Sequence, residues 1–495
     1  MIQQELAQKK REIIRLFLKK GFLVNSELLN RLDEAKDIPK IEEMLKAGQE
    51  SKDILIWEET GKPAIETKPK EPKISAATNI KVTYSYKEDP KKREPQDFVD
   101  HFNNRYKAIE KILKQRQELN DTISISKIQN KREKGDVSII GMVNSKQVTK
   151  NGNLMLLLED PTGQKKVIVN KNKPALFKEA KDIVLDEVIG VVGVSVETVI
   201  FANNLLWPDM PNKEIKKSAH EQYALFLSDL HVGSSKFLPD DFEKFLKWIN
   251  GEIGNEQQKN IAKNVGCIFI AGDLVDGCGI YPEQDKELIT KDVYQQYREC
   301  AALLSRIPSS IPLIICPGNH DAMRISEPQP QLSKDFAKPM YDLNNTIMVS
   351  NPSMININSS TDFEGFDVMM YHGYSFDYYV AEVDSLRSQG GYDRADLIMK
   401  FLMKRRHLAP SHLSTQYIPD TKKDPLVIEK IPDIFISGHI HKTATANYKN
   451  TTLICGSCWQ SKTLFQEKVG HNPEPSRVPI INLQTRDVKI LKFGQ

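Results

Sequence analysis

No apolar run in this chain approaches the ~20 residues that a membrane span needs, so a bilayer is not among the expected partners. Cysteine is scarce, with six in 495 residues, which excludes a disulfide framework. Cys267 and Cys316 sit in apolar runs and read as buried thiols. Cys455-Gly-Ser-Cys458 is a lone CxxC, a weak signal for redox or zinc work. Excess charge of one sign is also missing. The formal net charge is +3, so any affinity for nucleic acid has to come from local patches. The first residues lack the basic-then-apolar order of a signal peptide, and a reducing, cytoplasmic setting is expected. No internal repeat is visible.

At 495 residues the chain is too long for one core, and two to four domains are expected. Residues 1–55 read as a small helical module, with Leu6, Ile13, Ile14, Phe17 and Leu18 on one stripe. It is either a docking unit or an independently packed bundle. Residues 56–94 are rich in Pro and charge and read as an extended linker. Residues 95–212 begin with a helix from Asp97 to about Leu119, whose stripe is Phe98, Phe102, Tyr106, Ile109, Ile112 and Leu113. Strand patterns follow over 137–143, 154–158, 165–169, 184–194 and 197–201, with turns at Asn151-Gly152 and Asp160 to Gly163. They suit a small five-stranded barrel of the OB type. Lys165, Lys166, Lys171 and Lys173 supply charge there, but aromatic residues are scarce. Contact with DNA and docking to protein therefore both stay open. From 213 to 495 strands alternate with helical stretches, the pattern of an α/β layer fold.

That last region carries the chemistry. Five motifs recur in it: Asp229-Leu-His231, Gly272-Asp273-Leu-Val-Asp276-Gly277, Gly318-Asn319-His320-Asp321, His372-Gly373 and Gly438-His439-Ile-His441. Each follows an apolar run of strand length, so ligand-type residues stand at the carboxyl ends of buried strands, where open α/β sheets collect their sites. The mixture of Asp, His and Asn suits a hard-to-borderline metal and needs no thiolate. A carboxylate can bridge two cations, and Asp273 is central in the series. One metal is assigned to Asp229, His231, Asp273 and His441, the second to Asp273, Asn319, His372 and His439. Two cations ~3.5–4 Å apart can clamp a phosphate and activate water for in-line attack. Neutral imidazoles and Asn keep the site positive, so an anionic phosphodiester is attracted. His320 is left over, to protonate the leaving oxygen or stabilise phosphoryl charge. Asp321 is expected to orient its imidazole. Asp276 reads as a supporting or turn residue.

These motifs, in this order, resemble the calcineurin-like metallophosphoesterase superfamily across about residues 223–460. The resemblance implies an α/β phosphoesterase, a β-sandwich flanked by helices, with manganese, iron, zinc or similar ions. Longer segments are similar to the small (B) subunits of archaeal D-family DNA polymerases. They are Cys316 to Arg324 with Glu327-Pro-Gln-Pro330, Tyr371 to Asp377, Leu402 to Pro410 with Asp424 to Ile428, and Gly456 to Lys462. The order of helical module, linker, barrel and phosphoesterase matches that family too. It implies a 3′ to 5′ proofreading exonuclease using two divalent ions, Mn²⁺ first and Mg²⁺, Zn²⁺ or Fe as alternatives. It also implies a heterodimer with a large catalytic polymerase subunit, DNA 3′ ends as substrate, and a sliding clamp reached through the complex. By the same resemblance Lys404, Arg405 and Arg406 lie near DNA or the large subunit, the alternative being a solvated basic helix end. Arg324 is either a phosphate contact or a partner of Glu327. The rival readings are a non-catalytic scaffold subunit and a phosphatase or cyclic phosphodiesterase.

Overall fold

The structure, a computed structural model, describes residues 78–494 apart from 89 and 130–133. The helical module expected over 1–55 and most of the expected linker lie outside the described residues.

The linker expectation is corrected at its end. Ile80–Ser85 forms β1, which pairs antiparallel with β11 (Ser353–Ile357) at the edge of a sheet. Its sequence, Ile-Lys-Val-Thr-Tyr-Ser, alternates β-branched or aromatic residues with polar ones, which suits a half-covered edge strand. The charged residues after it mask that pattern.

The helix after β1 spans Pro95–Leu113 and opens with a capping box between Glu94 and Asp97. Its buried face keeps the expected Tyr106, Ile109 and Leu113, with Phe102 and Ile112 partly buried beside them, but not Phe98, and it also takes in polar residues. Phe98 is exposed, while His101 and Arg105 are buried with Tyr106, Ile109 and Leu113. Arg105 donates to Asp424 at 2.7 Å and to the Pro410 carbonyl at 2.6 Å, and its guanidinium lies over Phe102 and Tyr417. A buried ion pair with remote partners has set the helix's rotation.

Five strands, β2 (Gly135–Val148), β3 (Leu154–Asp160), β4 (Gly163–Val169), β5 (Val188–Val196) and β6 (Val199–Leu206), close into a barrel in the order β2-β3-β4-β6-β5. The long β2 makes closure possible, because its first half pairs with β5 and its second with β3. Alternate residues such as Ile139, Leu156, Val167, Ile189 and Ile200 point inward. A helix, Pro174–Lys181, lies between β4 and β5. Two of the four lysines considered for nucleic acid are engaged in the barrel itself. Lys165 is buried against the Glu197 carbonyl, and Lys173 reaches Ala202 and Asn203.

The rest of the described chain packs helix, sheet, sheet, helix. One sheet runs β10 (Thr346–Met348), β9 (Leu313–Cys316), β8 (Val265–Ala271), β7 (Tyr223–Leu227), β16 (Arg477–Asn482), β17 (Val488–Lys492). The other runs β1, β11, β12 (Phe366–Met370), β13 (Ile434–Ser437), β15 (Thr451–Cys455), β14 (Ala444–Tyr448). Between the sheets Phe226, Phe269 and Ile314 meet Val368, Ile436 and Ile454. The opposite faces of the same strands meet helices: Leu225, Ile270 and Ile315 pack on Phe245 and Tyr297, and Met369, Phe435 and Leu453 on Met399 and Leu402. Strands covered on both faces must be apolar throughout, which is why they read as continuous runs. β7, β8 and β9 are mutually parallel, as are β12, β13 and β15. All six therefore release their carboxyl-terminal loops toward one end of the sandwich. Among the described residues no helix is long and apolar enough to cross a membrane.

Candidate metal centre

The residue after each of these strands, or the next few, turns into one cleft. Asp229, His231, Asp273, His439 and His441 all adopt left-handed backbone, with φ of 52°, 52°, 53°, 74° and 54°. Such conformations cost non-glycine residues roughly 1 kcal/mol or more each, and they concentrate at functional sites. Glycines supply clearance. A Cβ on Gly318 would stand 2.2 Å from Asp273 Oδ1, and one on Gly438 2.6 Å from Asp229 Oδ2.

Among the described residues three groups of donor atoms result, each within a 4.8 Å span: His231, Asp276 and His320, and the two that matter here, Asp229, His231 and His441, and Asp273, His372 and His439. Asp273 stands between them, its Oδ2 3.8 Å from His231 Nε2 and 3.3 Å from His372 Nε2. His231 Nε2 and His441 Nε2 face each other at 3.0 Å. Asn319 Oδ1 lies 3.0 Å from His372 Nε2. All seven residues assigned as ligands from sequence are thus neighbours.

The proton count tests whether cations fit. His372 Nδ1 is 2.7 Å from the Ala271 carbonyl, which only accepts, so that nitrogen carries the hydrogen. In the neutral ring Nε2 then presents a lone pair to Asn319 Oδ1 and Asp273 Oδ2. Three electron-rich atoms converge with no proton among them. A positive charge has to sit there. Without metal the ring supplies it: burial opposes protonation, but the Asp273 charge prevails and holds His372 at about 10. Burial likewise opposes ionisation of Asp273, yet His372 and His320 hold its carboxyl well below the usual range. Divalent cations bound by N and O donors can replace that proton, and binding them releases it.

The supporting residues differ in part from those expected. Asp276 does more than end a turn. Its carboxylate meets His231 Nδ1 at 3.0 Å and accepts from Gln284 and Gln460, and its carbonyl lies 2.9 Å from His320 Nδ1. His320 therefore directs Nε2 away from that contact, while its amide donates to Asp273 Oδ1 at 2.8 Å. The expectation that Asp321 orients His320 is corrected. Asp321 instead accepts from the Leu274 and Gly318 amides and the Tyr297 hydroxyl, anchoring the loops. Burial and then the Asp273 charge raise its pKa to about 7. Gln466 and Asp377 were not singled out from sequence. The first lies 2.9 Å from His441 Nδ1, the second 3.1 Å from His439 Nε2. Asp377 does fall inside a quoted segment, at the end of Tyr371 to Asp377.

The basic residues considered for DNA are placed elsewhere. Arg405 is buried and ion-paired with Glu187 of the barrel, and donates to the Asp182 carbonyl at 2.6 Å. Arg406 is buried against the Ile428 and Glu429 carbonyls. Lys404 covers the Trp207 ring at 3.9 Å and meets Glu179. Lys404 and Arg405 thus join the barrel to the sandwich, while Arg406 ties the end of its helix to the loop at Ile428. Arg324 pairs with Glu88, not with Glu327. The thiols of the CxxC are buried and free, and burial pushes Cys458 up to about 12, which argues against redox use.

Glu327 is fully buried, accepts from the Tyr371 hydroxyl at 3.0 Å, and burial raises its pKa to about 7. Its folded value lies above its unfolded one, so its contribution to stability is complete below about pH 4.5 and is lost as pH rises through about 7. Glu327→Gln removes that titration. Between pH 5 and 8 the unfolding free energy of the variant, from urea titrations, should rise relative to the parent's by roughly 2–3 kcal/mol in total. Parallel pH profiles for the two proteins would contradict this.

Residues 224–445 match the family of DNA polymerase alpha/epsilon B subunits. The chain is 38% identical to the DNA polymerase II small subunit of Methanothermobacter thermautotrophicus, over 80% of this chain and 79% of that one. It is 38% identical to the same subunit of Methanocaldococcus jannaschii, over 78% of this chain but 64% of that longer relative. A solved archaeal phosphodiesterase is similar over 55% of this chain and 99% of its own, at 12% identity and a TM-score of 0.27.

Proposed function

The chain belongs to the family of archaeal DNA polymerase II small subunits, and from that premise we propose that it is a metal-dependent 3′ to 5′ exonuclease proofreading for a separate large polymerase subunit. The observation that carries the reading is Asp273, whose carboxylate lies beside both His231 and His372 where the Asp, His and Asn donors of five strand-end loops converge.

In this reading Asp229, His231, Asp273 and His441 hold one divalent ion, and Asp273, Asn319, His372 and His439 hold the other. Manganese suits such N and O donors, with magnesium, zinc and iron as alternatives. When bound, the ion pair supplies Lewis acidity to a phosphodiester and lowers the pKa of water. The protein's own residues do the rest. Asp276 fixes the ring of His231 through one carboxylate oxygen and that of His320 through its carbonyl. His320 Nε2 then stands ready to hold or deliver a proton at the leaving oxygen. The buried strand ends keep these groups from reorganising during the reaction. DNA 3′ ends are the substrate, and a sliding clamp is reached through the complex. The barrel is of the OB type and contacts either DNA or the large subunit.

The test uses the full chain with a single-stranded oligonucleotide labelled at either end. Manganese should support stepwise release of mononucleotides from the 3′ end, and EDTA should stop it. Cleavage of p-nitrophenyl phosphate with no action on the oligonucleotide would overturn the exonuclease reading in favour of a phosphatase. Inertness toward both would favour a scaffold.

A further inference from the structure

Beside the donor groups the cleft wall carries aromatic rings that hydrolysis alone does not use. Tyr281, on the loop after the Asp273 motif, stacks on Phe465 of the helix Leu464–Val469, with centroids 5.4 Å apart and planes at 29°. The Tyr281 ring is 6.2 Å from that of His320, which is 4.6 Å from that of His231. A row of rings therefore leads from the buried ligands to the surface, where Phe465 is 44% exposed. Both segments are pinned. Buried Glu287 accepts the Tyr281 hydroxyl at 3.3 Å and the Leu464 amide at 3.1 Å. Gln466, next to Phe465, is hydrogen-bonded to His441. A large apolar ring held this firmly, with its outer part in water, is preorganised for a flat ligand.

Resting on the exonuclease reading, the geometry points to Tyr281 and Phe465 as a stacking shelf for an unpaired base of the nucleotide at a single-stranded DNA 3′ end. Every base has a π-face, so such a shelf tolerates any sequence. It cannot grip a base already stacked and paired in a duplex without the cost of freeing it. A mismatched end, already loose, is therefore favoured over a matched one. The barrel surface, poor in aromatics, does not offer this platform; the wall of the cleft does.

The probe is an oligonucleotide with 2-aminopurine at its 3′ end, whose fluorescence falls on stacking. Mixed with the full chain in EDTA, where it cannot be cut, it should be quenched; the same probe labelled at the 5′ end should be quenched less. Phe465→Ala should abolish the quenching, and Phe465→Trp should retain it. With manganese, Phe465→Ala should raise KM for the single strand roughly 10- to 100-fold, a larger loss than it shows on bis(p-nitrophenyl) phosphate. Digestion by the parent chain without 3′-end quenching, or unimpaired digestion by Phe465→Ala, overturns the shelf alone and leaves the ring to a protein partner. Failure of the parent chain to digest DNA overturns the exonuclease reading and the shelf with it.

Discussion

Asp273→Asn is expected to lower manganese-dependent hydrolysis of a 3′-labelled strand by on the order of a thousand-fold, while the protein stays folded. Losing a bridging carboxylate removes several kcal/mol of transition-state stabilisation, and each 1.36 kcal/mol is about tenfold in rate. The amide oxygen can still accept from the His320 backbone and fill the space beside Gly318, so packing is conserved. The charge is not, and Asp273 Oδ2 is the atom that faces His231 and His372. Metal content measured by mass spectrometry should drop together with the rate. A variant that keeps both its metal and its rate would mean that hydrolysis, if present, is performed elsewhere.

Arg405→Ala is expected to destabilise the chain by about 3–5 kcal/mol, since it strands a buried carboxylate. Both side chains are almost fully buried, and burial already raises the Glu187 pKa, with Arg405 as its main counterweight. The double replacement Arg405→Met with Glu187→Leu should recover most of that loss, because the cost lies in the unpaired charge and not in the missing pair. Urea unfolding of the three proteins decides it. If Arg405 served DNA instead, the single variant would unfold like the parent and show a shallower salt dependence of DNA binding.

The same pair explains what the amino-acid order reveals and what it hides. The residues that gather at the strand ends were legible because each follows a strand buried on both faces, such as β8 before Asp273 or β13 before His439, and such strands announce themselves as unbroken apolar runs. The barrel was legible from its turns, though the helix Pro174–Lys181 was not, being only eight residues long. For the run Lys404-Arg405-Arg406 the resemblance implied a place near DNA or the large subunit, with a solvated helix end as the alternative; its acceptors, Glu187 and the carbonyls near Ile428, are distant in sequence and could not be foreseen. On the helix Pro95–Leu113 most of the expected stripe is buried, but the burial of Arg105 was hidden for the same reason: its partner is Asp424. Asp321 sits next to His320 in the chain yet serves Gly318, Leu274 and Tyr297, which only the folded loops could show.

The left-handed turns at Asp229, His231, Asp273, His439 and His441 set a trade between robustness and chemistry. A related chain with no use for these side chains could place glycine at these corners and gain about 1 kcal/mol at each. Retaining aspartate and histidine in a geometry they resist is a standing handicap on the resting fold. If the proposed hydrolysis holds, the composition of these corners is a cheap indicator of which related chains could carry it out.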